Sequence, residues 1–244
     1  MRLLFEHSRA TLLQLLRTPA YSVITMLLPA VIFVFIGTTT TESREGANIV
    51  MASFAIFAAL GVAFFQFGVG IANQRESPWE KFARILPVEP AIRFGATMVA
   101  ATIFATVAVG FVVAVALILT DVGMSASSWL RLFVSVLGGA IPMALFGIAI
   151  GYWAPSTAAL PAANIFYLAL SFGGGLFVPP RSMPGFLDAF SRVLPTRHIG
   201  ELAWASVLDV PWPGGSWIWL LGYTIAFGGL AVAGYRRDEG IRYR

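Results

Sequence analysis

The residue types that carry most enzyme and ion chemistry are sparse in this chain of 244 residues, and their positions bound what it can do. There is no cysteine, so disulfides, cysteine-bound metals and thiol catalysis are excluded. His7 and His198 are far apart in the chain and fall on opposite sides of the topology derived below, which gives no histidine metal site. Asp188 and Ser191 are close in sequence but have no positioned histidine, so no nucleophile–base set forms. The one lysine, Lys81, lies between Glu80 and Phe82. A phosphate-cradling loop needs lysine after glycine and before serine or threonine, so the chain has no P-loop of its own. Glycine strings such as Gly173-Gly174-Gly175 follow no strand and read as membrane packing.

What must position any remaining chemistry is a bilayer. The chain is 58% hydrophobic and 11% charged, with mean hydropathy +0.80. A soluble domain is about 25% charged, so too few charges remain to coat a water-facing surface. Six windows are long and apolar enough to cross about 30 Å of hydrocarbon. They run roughly 20–39, 49–72, 95–119, 132–153, 157–178 and 216–234, and none contains Asp, Glu, Lys, Arg or His. Only helices or a closed barrel satisfy every backbone amide in lipid, and continuously apolar runs favour helices. The predicted fold is an all-α polytopic membrane protein of six transmembrane helices, residues 1–244 forming a single transmembrane domain. Pro29, Pro142 and Pro161 should bend their helices. Gly147 and Gly151 form a GxxxG pair, with Gly138-Gly139 about two turns earlier. That spacing suits a helix–helix interface and also arises by chance in glycine-rich membrane helices.

Eleven of the 16 basic residues fall at the N-terminus (Arg2, Arg9, Arg17), in the 73–94 connection (Arg75, Lys81, Arg84, Arg93) and at the C-terminus (Arg236, Arg237, Arg242, Arg244). The other five, Arg44, Arg131, Arg181, Arg192 and Arg197, fall on the opposite side. The excess places both termini and the 73–94 connection in the cytoplasm, as an even number of spans requires. This clustering is a topology signal and not a nucleic-acid footprint. Within residues 1–18, Leu4, Phe5, Leu12, Leu15 and Leu16 share a face opposite Arg2, Glu6, Arg9 and Arg17. That pattern predicts an amphipathic helix in the inner interface, with a frayed tail as the alternative. It is not a secretory signal: the apolar run after it is too long, and Thr38–Thr41 offer no small-residue cleavage site.

Two connections are not ordinary loops. In 73–94, Ser77 as N-cap, Pro78 at the first position and Glu80 at the third form a helix-start pattern, and Pro87 is a stop. Trp79, Phe82, Ala83 and Leu86 give an apolar stripe that the membrane surface or a partner protein must bury. In 178–215, Phe186, Leu187, Phe190, Val193 and Leu194 suggest one short helix stopped by Pro195. Ile199, Leu202, Ala203, Ala205, Ser206 and Val207 suggest another. Each is about half the length needed to span, so a re-entrant pair dipping into the outer leaflet is expected, packed on other helices. Gly173–Gly175 should loosen the outer end of the fifth span, and Trp204, Trp212, Trp217 and Trp219 fall where interfacial aromatics belong.

These two connections carry a family resemblance over essentially the whole length. The chain resembles the membrane-spanning permease subunit of a type-2 ABC exporter, the family of bacterial drug, lipid and polysaccharide exporters. Arg75, Glu76, Leu86, Pro87 and Val88 match the charged turn and Leu-Pro-Val stop of the first connection. Pro179, Met183, Pro184, Leu194, Pro195 and Glu201 match the second. The resemblance implies a half-transporter of the bacterial cytoplasmic membrane. Two copies, a homodimer or related heterodimer, would form the path, driven by two separate ATPase subunits. Residues 77–86 resemble the family's coupling helix, with Ser77, Trp79, Glu80, Phe82, Leu86 and Pro87 the proposed ATPase contact. No cofactor is implied on this chain; ATP and Mg would bind the partner ATPase.

The residues fit that division of labour. An ion-coupled carrier usually places ionisable relays inside the membrane, and the six windows have none. Gln66, Asn164 and Tyr167, with Phe64 and Phe67, are candidates for lining a path, although hydrogen bonds between helices and packing are the commoner fates of such groups. Glu201 is read as a headgroup-level charge near His198 and Arg197. Short outer loops and uncharged cores favour an amphipathic or apolar cargo, as in multidrug efflux. A membrane scaffold or assembly factor without a transport cycle is the competing class. A membrane-embedded enzyme is disfavoured by the absence of buried ionisable residues.

Overall fold

The computed structural model describes residues 19–39, 43–77 and 90–242, and every regular element among them is helical. The α-helices are α1 (Pro19–Ile32), α2 (Arg44–Gly61), α3 (Gly70–Glu76), α4 (Pro90–Leu119), α5 (Ala126–Trp153), α6 (Ser156–Gly173), α7 (Gly185–Ser191), α8 (Pro195–Val207) and α9 (Gly214–Arg242). Serines begin two of the long ones. Ser43 Oγ accepts from Gly46 N at 3.1 Å ahead of α2, and Ser125 Oγ accepts from Ser128 N at 3.1 Å ahead of α5, each satisfying a first-turn donor.

Among the described residues four helices are long and apolar enough to cross a membrane: Arg44–Glu76 (33 residues), Thr102–Leu119 (18), Ala126–Trp153 (28) and Gly214–Asp238 (25). These correspond to four of the six expected windows. In the first window the described apolar helix is Met26–Gly37. In the fifth, α6 has 18 residues, about 27 Å at 1.5 Å per residue, so it falls short of a full hydrocarbon thickness. The expected amphipathic helix at 1–18 and most of the 77–86 helix lie outside the described residues.

The crossing from Arg44 to Glu76 is the central rod. Its apolar window is 83% buried, against 28% for Thr102–Leu119 and 17% for Gly214–Asp238, so the latter two present most of their surface to the surroundings. Those surfaces carry Ile118 and Ile218, and the Phe33–Gly37 turn carries Phe35, each more than 70% exposed. Only lipid makes such exposure inexpensive. Pro29, Pro142 and Pro161 all sit inside unbroken helices. The irregular backbone falls elsewhere, in π-helical turns at Phe33–Gly37 and Val62–Val69 that the sequence reading did not anticipate.

The GxxxG pair is an interface. A Cβ on Gly147 would lie 2.1 Å from Ala63 O, and one on Gly151 would lie 2.9 Å from Gly68 O and 2.8 Å from Ile71 Cβ. The missing side chains let α5 touch the π segment and α3 backbone to backbone. Gly173–Gly175 do not loosen α6; they close it. Gly175 takes φ +87°, Leu176 N bonds Ser171 O at 3.1 Å and Gly175 N bonds Phe172 O at 3.2 Å, the paired bonds of a left-handed glycine cap.

Candidate functional site

The two ends of the bundle are held by different polar chemistry. At one end Arg44 forks onto Asp121 through Nε (3.2 Å) and Nη2 (3.0 Å). Asn48 pairs with the backbone of Gly123 in both directions, at 3.1 and 3.2 Å. Arg131 and Ser128 reach Asp209, each at 3.4 Å. Asp209 takes φ 54° just past α8, a left-handed position that aspartate tolerates better than most residues.

The 178–215 segment packs into this same end. Pro195 opens α8 at its first turn, where the missing N–H costs nothing, and does not stop α7, which has already ended at Ser191. Most of α8 is buried. Trp204 Nε1 donates to Ser53 Oγ on α2 (2.9 Å), Thr196 Oγ1 donates to Leu170 O on α6 (2.7 Å), and Ser206 Oγ meets Ser135 Oγ on α5 (3.2 Å). Ile199 fills the space beside Gly139, where a Cβ would come within 2.6 Å. Helix α8 is therefore enclosed by α2, α5 and α6, with α9 alongside.

One polar cluster joins α7, α8 and the start of α9. Arg197 donates to Glu201 Oε1 (2.9 Å), Asp188 Oδ1 (3.2 Å) and Ser191 Oγ (3.1 Å), while Ser216 Oγ donates to Glu201 Oε2 (2.8 Å). The Glu201 carboxyl is held down from the usual 4.5 to about 2, with His198 the first influence, followed by Arg197 and Ser216, against burial, which raises it. His198 Nδ1 stands 3.7 Å from Oε2, beyond an ordinary hydrogen bond, so the two shorter contacts are the firmer cause. Asp188 is lowered chiefly by Arg192, which donates to it at 2.6 Å. The His198 ring stacks on Trp219 at 5.3 Å and 10°. Glu201 thus stands beside Arg197 and His198, 30% exposed. Of the other residues singled out here, Pro179 and Pro184 are exposed, Met183 is half-buried and Pro195 is buried.

At the opposite end, α3 stops at Glu76. Ser77 is extended (φ −70°, ψ 144°), as a residue before proline is pushed to be. Ser77 Oγ donates to Gln74 O at 2.8 Å. Trp79, Glu80, Phe82, Leu86 and Pro87 lie outside the described residues. Arg75 donates to Asp238 Oδ1 through Nε (3.1 Å) and Nη2 (2.8 Å), to Gly151 O through Nη1, and to Ala154 O at 3.4 Å. Its guanidinium sits 5.5 Å from the centroid of Tyr152. Glu76 accepts from Ser156 N (2.9 Å) and from Ser156 Oγ. Sequence reading missed Asp238, because the run Arg236-Arg237-Asp238-Glu239 looks like a solvated charged tail.

The five candidate path residues do not share one surface. Phe64 is fully buried against Phe146, and Tyr167 stacks on Phe57 at 4.4 Å and donates its hydroxyl to Phe57 O at 3.2 Å. Asn164 is exposed and bonds its own helix at Leu160 O (3.1 Å). Gln66 is buried in the π segment, and its Nε2 has no hydrogen-bond partner among the described residues. Only Phe67 reaches the apolar groove of about 490 Å³ between the central rod, α4 and α5, which Trp217 closes at one side.

A helical bundle with apolar exposed flanks, a packed helical segment at one end and an ion-paired junction at the other is the build of a polytopic membrane protein. Residues 3–208 match the family model described as ABC-2 type transporter. The chain belongs to that family, the membrane-spanning permease subunits of ABC transporters, which in general work with an ABC ATPase. A protein of Bacillus subtilis (strain 168) named "Putative transport permease YvfS" is 24% identical over 250 residues, covering 99% of this chain and all of the other. No solved structure matches the chain.

Proposed function

We propose that this chain is the membrane half of an ATP-driven exporter in the bacterial cytoplasmic membrane. Six crossings would place both termini and the 73–94 connection inside. Two copies would form the path, two ATPase chains would hold ATP and Mg, and the cargo would be an amphipathic small molecule such as a drug or lipid. The observation that carries the topology is the Arg75–Asp238 pair. Contact between the end of the second crossing and the last helix requires an even number of traverses between them. Ser156 stands at that same end, bonded to Glu76, while α8 stands at the Arg44 end, bonded through Asp209 to Arg131. On this reading α6 would run the length of the bundle although it is short, and would make four traverses with α4, α5 and α9.

The cysteine-free sequence allows a direct test of orientation. Ser127 and Arg236 are exposed at opposite ends. Ser127→Cys should react with a membrane-impermeant maleimide in intact cells, and Arg236→Cys only after the membrane is opened. The reverse pattern would overturn the orientation.

Export and the ATPase contact rest on the likeness of residues 77–86 to the coupling helix. Trp79→Asp and Phe82→Asp each put a charge on the apolar stripe. Because buried aromatics dominate interfaces at about 2 kcal/mol or more, retention of the co-expressed ATPase should weaken by about 30-fold. Full retention of the ATPase in both variants would remove 77–86 from the contact. Cargo follows from the apolar groove and the uncharged windows, which suit a partly apolar molecule entering from the bilayer.

A further inference from the structure

Arg75 and Glu76 are adjacent, opposite in charge, and meet the opposite ends of two consecutive helices. The last carbonyls of a helix carry partial negative charge and its first amides partial positive charge. Arg75 takes the Gly151 and Ala154 carbonyls at the end of α5, and Glu76 takes the Ser156 amide at the start of α6. Asp238 then ties the same arginine to α9, with 16% of the Arg75 side chain and 7% of the Asp238 side chain exposed. Among the neighbouring contacts between α5 and α9 are Tyr152 edge-on to Tyr235 at 5.5 Å, Arg237 over Trp153 at 5.1 Å, and Trp153 Nε1 donating to Leu230 O at 3.0 Å.

We infer that Arg75 and Asp238 form a clasp that carries movement of the 78–89 connection into the α5–α6 turn and α9 together, a positioning pair for coupling that touches no cargo. The inference rests on reading 77–86 as the ATPase contact. Ser77 leads directly into that connection, so a displacement there reaches Arg75 first. Apolar and ring contacts slide at low cost. A forked, buried ion pair resists separation, because two short charge-assisted hydrogen bonds to one carboxylate oxygen are lost where little water can replace them. The rod that ends in α3, the α5–α6 turn and α9 must then move as one body. The rod also touches α8 at the far end through Ser53 and Trp204, so the displacement can be read there.

The test uses the permease with its co-expressed ATPase in lipid vesicles, and ATP with orthovanadate as the probe, so no cargo is needed. Amide exchange of residues 178–213 is followed with and without nucleotide trapping. In the unaltered complex trapping should change exchange there by about fivefold. Asp238→Asn should trap as much nucleotide and keep its ATPase while losing that change, and Asp238→Glu should restore it. An unaltered exchange response in Asp238→Asn would overturn the clasp. So would equal loss in Asp238→Asn and Asp238→Glu accompanied by a lower thermal midpoint, which is what a merely structural pair gives. If Asp238→Asn does not fold, Arg75→Lys, which keeps the charge but loses the fork, is read by the same criteria. Failure of the underlying reading looks different: Trp79→Asp and Phe82→Asp would then keep both ATPase and exchange response.

Discussion

Replacing Gly147 with leucine should abolish recovery of folded protein. The first atom of any side chain at 147 would sit 2.1 Å from the Ala63 carbonyl oxygen and 3.0 Å from its carbon, inside the backbone of the central rod. Neither partner is the free end of a flexible side chain, so relief requires moving α5 off the π segment. Movement of that size would also open the contacts at Gly151, where Gly68 O and Ile71 lie within 3.0 Å of the missing Cβ. Overpacking of this kind falls among the exceptional substitutions, on the order of 4 kcal/mol or more. Gly110 and Gly222 are the controls, since a Cβ at either meets nothing within 4 Å. Gly110→Leu and Gly222→Leu should elute as the unaltered protein in fluorescence-detected size exclusion, and Gly147→Leu should be confined to the void volume. A normal elution profile for Gly147→Leu would mean that the α5–rod contact is looser than the structure shows.

That contact also marks how far the sequence could be read. GxxxG at 147–151 was visible, but its partner surface, Ala63, Gly68 and Ile71, lies some eighty residues away and has no signature of its own. The crossings were legible for a plain reason: a lipid solvent demands long, unbroken apolar runs, and Arg44–Glu76 or Ala126–Trp153 cannot be mistaken for anything else. The short helices α7 and α8 were legible from proline punctuation, but α7 ends at Ser191 and Pro195 begins α8 instead of stopping α7. Which face of an apolar helix points inward was not legible. In a soluble protein polar residues mark the outer face; here lipid and core are equally apolar, so Phe64 and Tyr167 read as path candidates and turn out to be packed core. The π turns escaped for a related reason, because nothing in Val62–Val69 differs in type from its α-helical neighbours. Asp238 escaped because its meaning comes from Arg75, which lies 163 residues earlier in the chain.

Removing Arg197 should destabilise the α7–α8–α9 junction by an amount that depends on pH. Its side chain is 12% exposed and faces Glu201, Asp188 and the Ser191 hydroxyl at once. Arg197→Met keeps the apolar stem and leaves Glu201 without its 2.9 Å donor. Stranding a fully buried charge costs about 3–5 kcal/mol; with 30% of the Glu201 side chain exposed, about 2 kcal/mol is expected, read as a lower thermal midpoint at pH 7. Glu201→Gln made on the Arg197→Met background should cost less than the same change in the unaltered protein, with a coupling of about 1–3 kcal/mol between the two sites. The sign of the pH effect follows from the depressed carboxyl. A group lowered in the folded state from 4.5 to about 2 contributes stability that is complete above about pH 4.5 and is lost as pH falls toward 2. The unaltered protein should therefore lose stability across that window. Arg197→Met, whose Glu201 titrates nearer its ordinary value, should show a shallower acid slope from a lower plateau. Parallel acid slopes in the two proteins would assign the depression to His198 and Ser216, and would make Arg197 a packing residue whose charge is spent on Asp188.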